Sequence, residues 1–215
     1  MKAFISYATD NKKLAHGIKE NLEIYGVTTF LAHDDIKPTE EWQDRILEEL
    51  HSSQIFIPVL TDEFPMSAWT DQEVGIALST GALIIPIKVT INPYGFIARY
   101  QALKLKKEDV SKACYNILHI IAAKPLLAQE IRDLIIGVFG DSSSFSNAEE
   151  NAEVVASLSN YTSAQFKRIA NHILENSQIY NSFGARDILR PFIDENKKNL
   201  PRDLYSATIE KLRRR

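Results

Sequence analysis

An indole and a carboxylate one helical turn apart are the first residues of this sequence that could do chemistry. Trp69 and Glu73 stand four positions apart in the stretch SAWTDQEVGI, so they share one face if the stretch is helical. An adjacent indole would desolvate the carboxyl group and raise its pKa, or stack on the ring of a ligand. One interpretation of the pair is therefore a glutamate that works as an acid or a base.

The same stretch also allows a purely structural interpretation. Thr70 and Glu73 have the spacing of a capping box, in which the threonine hydroxyl and the glutamate carboxylate bond each other's backbone amides. Trp69 would then anchor the core or a loop. The two interpretations are compatible, because a cap would fix the helix start that aims the carboxylate.

Composition and motifs exclude several classes of protein. The 215 residues carry a net charge of −3, which argues against a broad nucleic-acid-binding surface. Glycine-rich phosphate loops and the GxSxG nucleophile motif are absent. Cys114 is the single cysteine, so the chain cannot form an internal disulfide, and its apolar surroundings predict a buried, inert thiol. The five histidines lack the spacing of metal ligands, and we expect no metal site.

The apolar segments are too short to cross a membrane. No run approaches 18 apolar residues, and MKAFISY lacks the charged region and longer apolar region of a signal peptide. We therefore expect a cytoplasmic protein without a membrane span.

Strands and helices alternate over the first 105 residues. The predicted strands are AFISY, VTTFL, IFIPVL and LIIPIKV, and the segments between them have helical apolar spacing, as at Leu14, Ile18 and Leu22. This rhythm predicts an α/β fold with a doubly wound parallel sheet. Pro58 and Pro86 cannot donate to a strand ladder, so we expect bulges or strand ends there. Ligands of such sheets bind outside the carboxyl ends of the strands.

A small all-α module follows the α/β part. Helical patterns run over 110–121 and 126–139, the polar break GDSSSFS separates them from the rest, and further amphipathic helices fill the remainder. We therefore predict one domain over 1–140 and a helical module over 145–215. Ser146 with Glu149 is a candidate capping box, and Thr162 or Ser163 is expected to open a later helix.

Three motifs in the α/β part together resemble a known family. FISY in the first strand, FLAHDDIKPTEEW after the second and SAWTDQEVGIAL in the third helix are similar to those of TIR (Toll/interleukin-1 receptor) domains, over about residues 1–105. The sequences AHDDIKPTEEW, SAWTDQE and NPYGFIARYQAL resemble those of a bacterial subgroup. The resemblance implies a flavodoxin-like sheet of about five parallel strands.

The resemblance also implies an activity and a site. Many bacterial members cleave NAD⁺ between nicotinamide and ribose, by hydrolysis or cyclisation, with a glutamate in the third helix as the essential residue; here that residue is Glu73. NAD⁺ would be the substrate and no cofactor is needed. The loops after the first two strands would form walls of the cleft, and Trp42 would anchor it. The implied substrate-binding residues are Tyr7, Ala8, Thr9, His33, Asp34, Asp35, Lys37, Trp42 and Trp69.

Ordinary alternatives remain for several of these residues. Asp34 and Asp35 also suit a solvated turn, and Trp42 suits packing. The family alternative to catalysis is a non-enzymatic adaptor that works through TIR–TIR contacts. In either case the resemblance implies a homo-oligomer, and the helical module would bind a protein partner. By analogy with the family, the expected role is bacterial antiphage or stress signalling.

Overall fold

A parallel sheet forms from the short apolar runs of the first half of the chain. The computed structural model describes residues 1–31, 42–105 and 109–213. The strands are β1 (Lys2–Ser6), β2 (Thr28–Leu31), β3 (Ile55–Leu60), β4 (Leu83–Ile84), β5 (Ile87–Lys88) and β6 (Leu103–Lys104). Their order is β2-β1-β3-β5-β6, and β4 also pairs with β3, all in parallel. The predicted doubly wound α/β sheet with about five strand positions is confirmed.

The two strand prolines behave differently. Pro86 separates β4 from β5, so the run LIIPIKV contributes two short strands that pair with successive parts of β3. The strand break expected at Pro86 is therefore confirmed. Pro58 instead lies inside β3, in register with Ser6 of β1, so the expectation of a bulge or strand end is wrong there. Proline supplies no amide donor to the sheet, but β3 pairs with strands on both sides. The hydrogen bonds of its other residues therefore keep the strand extended through Pro58.

Helices cover the sheet and bury its apolar side chains. They are α1 (Lys12–Ile24), α2 (Trp42–Ser52), α3 (Thr70–Ser79) and α4 (Val110–Ala122). On one face, Phe4 lies 5.4 Å from Phe30 and 5.8 Å from Phe56 between ring centroids. Ile46 and Leu50 of α2 and Val74 and Ala77 of α3 pack into this same cluster. The aromatic face of the sheet therefore fixes the two helices that carry Trp42 and Glu73.

The single cysteine lies on α4 and faces α1. Cys114 is buried, and its Sγ donates to the backbone oxygen of Ile18 at 3.7 Å. Burial raises the pKa of the thiol to about 12. A thiol with such a pKa is almost entirely protonated at neutral pH, so the prediction of an inert cysteine is confirmed.

The chain divides into two compact units, Met1–Leu118 and His119–Arg215. The second contains α5 (Pro125–Gly140), α6 (Phe145–Ser157), α7 (Ser163–Glu175), α8 (Ser177–Asn181), α9 (Phe183–Glu195) and α10 (Arg202–Arg213). This division lies earlier than the predicted break at 140–145, because α5 packs against α6 and α7. Within the described ranges, no helix is long and apolar enough to span a membrane.

Hydroxyl side chains cap α6 and α7 in the second unit. The Thr162 hydroxyl accepts from the amide of Gln165 while the Gln165 side chain accepts from the amide of Thr162, so α7 opens with a complete capping box. The cap of α6 differs from the expected one. Ser144, rather than Ser146, caps that helix by accepting from the amide of Asn147. The helix begins two residues earlier than the Ser146–Glu149 pattern implies.

Two glycines of α5 give a matched test of packing in the second unit. A Cβ at Gly140 would overlap the imidazole of His172 on α7, whereas a Cβ at Gly137 would meet no heavy atom within 4 Å among the described residues. We expect Gly140→Ala to lower the free energy of unfolding by about 1–3 kcal/mol. Gly137→Ala should raise it by about 0.5–1 kcal/mol, because alanine favours the helix. Urea denaturation of both variants measures the difference, and equal effects would contradict the close approach of His172.

Candidate functional site

Helix α3 begins with a hydrogen bond from its first residue back to the preceding turn. The Thr70 hydroxyl donates to the backbone oxygen of Phe64 at 2.6 Å, and the Glu73 amide donates to the backbone oxygen of Trp69 at 2.9 Å. Trp69 occupies the N-cap position, and no side chain caps the helix. The capping-box interpretation of Thr70 and Glu73 is therefore wrong. Thr70 lies inside the helix and donates its hydroxyl proton, and the carboxylate of Glu73 is directed elsewhere.

The carboxylate of Glu73 reaches the carboxyl end of β1. Ser6, the last residue of that strand, donates its hydroxyl to Glu73 Oε2 at 2.5 Å. Ser6 is fully buried, and Glu73 is only 2% exposed. Glu73 Oε1 is buried with no hydrogen-bond partner among the described residues. A buried acceptor without a partner is costly, so this oxygen marks a position where a ligand group would be stabilising.

Burial changes the acidity of this group. Desolvation raises the pKa of Glu73 from its ordinary value of 4.5 to about 7, and the hydrogen bond from Ser6 opposes part of that rise. A carboxyl group with a pKa near 7 exchanges its proton at physiological pH, which is the range in which an acid or base catalyst works best.

A cleft of about 260 Å³ adjoins Glu73 between α2 and α3. Its lining residues are Gln43, Ile46, Leu47, Trp69, Gln72, Glu73 and Ile76. The Trp69 ring meets the Trp42 ring edge to face, with centroids 4.3 Å apart and an interplanar angle of 71°. Trp42 remains 37% exposed. The two indoles therefore join the starts of the helices beside the carboxylate, and Trp42 packs on protein while keeping free surface.

The other predicted site residues differ in burial, and some of them lie outside the described residues. Tyr7 and Ala8, directly after β1, are buried, and Thr9 is exposed at the start of the 3₁₀ turn Thr9–Asn11. Neither Ala8, the N-cap residue of that turn, nor Asn11, the N-cap residue of α1, forms a side-chain cap. Four further predicted residues lie outside the described residues: His33, Asp34, Asp35 and Lys37. Their assignment to the cleft stays a prediction.

Ser6 is the residue of this site that the sequence patterns did not assign. It stands 67 residues from Glu73, and no local spacing connects the two. One signal was available. Ser6 is the polar residue that ends an otherwise apolar strand, at the sheet edge where ligands bind. Among the described residues, no group of three or more His, Cys, Asp or Glu residues could hold a metal ion.

Comparisons with known proteins identify the first unit. The model of the TIR domain family matches residues 3–118, a range that ends at the last residue of that unit. Among solved structures, the TIR domain of a Toll-related receptor from Hydra magnipapillata aligns with a TM-score of 0.46 and 23% identity, over 54% of this chain and 93% of that one. No curated protein matches the chain.

Replacing Glu73 by glutamine should change how stability depends on pH. The folded state keeps the carboxyl proton up to about pH 7, whereas an unfolded chain releases it near pH 4.5. Between these values the folded state binds more protons, so wild-type stability falls as pH rises and stays reduced above pH 7. We expect Glu73→Gln to remove this loss and to raise the free energy of unfolding at pH 8 by about 1–3 kcal/mol.

A second buried glutamate supplies the control. Glu49 of α2 is also 2% exposed, but it forms ion pairs with Lys2 and with Arg45. Glu49→Gln removes the negative partner of these cations and should lower the free energy of unfolding by about 1–3 kcal/mol. Urea denaturation at pH 5 and pH 8 compares the three proteins. A constant difference between wild type and Glu73→Gln across this range would contradict the raised pKa of Glu73.

Proposed function

The chain belongs to the TIR-domain family, and on that premise we propose that its first unit cleaves NAD⁺ between nicotinamide and ribose, with Glu73 as the catalytic carboxylate. The observation that carries the proposal is the unpartnered Oε1 of a buried carboxylate beside a cleft. The large majority of buried side-chain oxygens in proteins have a partner, so an oxygen with neither a hydrogen bond nor an ion pair among the described residues needs an explanation. The same carboxylate occupies the helix at which catalytic members of the family carry their essential glutamate.

The chemistry needs one carboxylate and no acid for the leaving group. In NAD⁺ the nicotinamide ring carries a positive charge, and when the bond from its nitrogen to C1′ breaks, the electron pair leaves with a neutral nicotinamide. Positive charge then develops on the ribose as an oxocarbenium ion. The ionised Glu73 stabilises that charge from a site with little water, where an electrostatic interaction is stronger than in bulk solvent.

The second half of the reaction regenerates the carboxylate. Water adds to C1′ and gives up a proton, which Glu73 accepts and later releases to solvent, and the product is ADP-ribose. Attack by a ring nitrogen of the adenine in place of water would give a cyclic ADP-ribose. A pKa of about 7 suits a group that must accept and release a proton at neutral pH.

The cleft fits part of the substrate. Its volume of about 260 Å³ lies below the roughly 300–1,000 Å³ of most small-molecule sites, so it suits the nicotinamide and ribose end of the dinucleotide. The indoles of Trp42 and Trp69 supply faces on which a ring could stack. We propose that residues 32–41, with His33, Asp34, Asp35 and Lys37, bind the remaining part.

The second candidate is a TIR–TIR interaction module without activity. Two exposed apolar side chains of the first unit favour it, since Met66 is 83% and Phe96 is 80% exposed. We also propose that copies of the chain associate through TIR–TIR contacts and that the helical unit binds a protein partner. A role in bacterial antiphage or stress signalling rests on family analogy alone.

Incubation with NAD⁺ tests the proposal directly. We expect the purified chain to release nicotinamide, measured by chromatography at dilute and at crowded protein concentrations. Glu73→Gln keeps the size of the side chain but has neither a negative charge nor a basic oxygen. It should lose at least about 100-fold in rate.

Glu20→Gln is the matched control for this assay. It makes the same substitution at an exposed position of α1 and should cleave at the wild-type rate. If Glu73→Gln cleaves NAD⁺ as fast as wild type, the catalytic assignment is wrong. If wild type and Glu20→Gln both fail to cleave NAD⁺ under every condition while the chain self-associates, a TIR–TIR interaction module describes the function better.

A further inference from the structure

The donor that holds Glu73 lies on a strand that is paired on both sides. Ser6 ends β1, which has β2 on one side and β3 on the other. Residues Lys2 to Ile5 pair with β2, and Ala3 to Ser6 pair with β3, where Ser6 lies opposite Pro58. A hydroxyl on a strand with two neighbours has a better-defined position than one on a loop. The Ser6 hydroxyl is therefore a fixed point against which a helix side chain can be oriented.

The helix that carries Glu73 is held independently of this hydrogen bond. Val74 and Ala77 pack into the aromatic cluster of the sheet, and Thr70 bonds to Phe64. Loss of the Ser6 hydroxyl would therefore leave α3 in place and free the carboxylate alone. This separation between fold and side-chain orientation is typical of a positioning contact.

We propose that Ser6 is a positioning residue for Glu73: its buried hydroxyl fixes Oε2, stabilises the charged form of the carboxylate, and leaves Oε1 as the oxygen that meets the substrate. This inference rests on the proposed NAD⁺ cleavage for its functional part. Its structural part, the coupling between Ser6 and the ionisation of Glu73, is measurable without any substrate.

Burial favours the protonated form of Glu73. Among the groups around it, the Ser6 hydroxyl is the main one that favours the charged form. Besides α2, β3 and the 3₁₀ turns Phe64–Met66 and Gly95–Ile97 pack most closely against α3, and none of them carries a charged side chain. Strand β1 reaches Glu73 through Ser6 and carries one charged side chain, Lys2, at its opposite end. Helix α2 carries five titratable side chains: Asp44, Arg45, Glu48, Glu49 and His51. On α3 itself, Asp71 accepts from the Tyr94 hydroxyl. The pKa of Glu73 is raised by burial and lowered by Ser6.

Titration of Glu73 in a set of serine variants tests the structural part. The full chain is labelled with ¹³C at the glutamate carboxyl carbon, and Glu73→Gln assigns the signal. We expect the wild-type signal to titrate near pH 7. In Ser6→Ala it should titrate about one pH unit or more higher, because the charged form loses its hydrogen-bond donor. Ser6→Thr keeps the hydroxyl and should restore the wild-type value.

Ser53→Ala provides a matched control for the loss of a buried serine hydroxyl. Ser53 is buried just before β3, and its hydroxyl has no hydrogen-bond partner among the described residues. The variant makes the same chemical change at the opposite end of that strand from the site. It should leave the titration of Glu73 unchanged.

The pH profile of NAD⁺ cleavage tests the functional part. In Ser6→Ala, the acidic limb of kcat/KM should move to higher pH by the same amount as the carbon titration. The rate should therefore fall about tenfold near pH 6 and approach the wild-type rate at alkaline pH. Ser6→Thr should follow the wild-type profile.

Three outcomes are decisive. An unchanged titration in Ser6→Ala overturns the inference. An equal loss of rate at every pH, with no shift of the limb, reduces Ser6 to a packing role and also overturns it. A shifted titration with no NAD⁺ cleavage by any variant, wild type included, upholds the coupling between Ser6 and Glu73 and overturns the proposed function alone.

Discussion

The site depends on one constraint: the carboxylate of Glu73 on α3 is buried against the carboxyl end of β1. Ser6 supplies a single neutral donor to Glu73, and desolvation outweighs it, so the pKa of the group lies near 7. Keeping such a group ionised inside the fold costs about 3 kcal/mol relative to an exposed glutamate. That is a large part of the stability of an ordinary domain, and packing elsewhere must offset it. The aromatic cluster under α2 and α3 is the part of the structure suited to do so.

Helix α3 is anchored around Glu73 rather than through it. The Thr70 hydroxyl bonds the first turn of the helix to Phe64. Val74, the residue after Glu73, packs into the core, and on the exposed side the Tyr94 hydroxyl donates to Asp71. These contacts fix the backbone on both sides of the carboxylate. A functional side chain held by its neighbours can stay strained or poorly satisfied, because its own contacts are not needed to maintain the helix.

Local patterns predicted the elements of this fold better than the contacts between them. The apolar runs predicted β1 to β5 but not β6, and Pro86 marked the break between β4 and β5, because these features depend on a few adjacent residues. The Thr70–Glu73 spacing suggested a cap that the structure lacks, since Thr70 bonds to Phe64 in the preceding turn and Glu73 bonds to Ser6 on β1. The Ser6–Glu73 pairing depends on sheet order, which spacing within one helix does not encode. The assignment of α5 to the first domain differed from the structure because its packing against α6 and α7 is likewise not encoded in the pattern of α5 itself.

The two buried glutamates among the described residues of the first unit show why the lack of a counter-charge matters. Glu49 meets the cations of Lys2 and Arg45, so its charge is neutralised within the fold. Among the described residues, Glu73 has no such partner, and its negative charge is available to something that is not part of those residues. A cationic ligand is the natural complement. In NAD⁺ the positive charge lies on the nicotinamide ring before the bond breaks and on the ribose as it breaks. A fixed carboxylate near the bond therefore stabilises the transition state most if it lies closer to the ribose. Positioning by Ser6 would decide which of the two charges Glu73 favours, and hence whether burial of the carboxylate aids binding or catalysis.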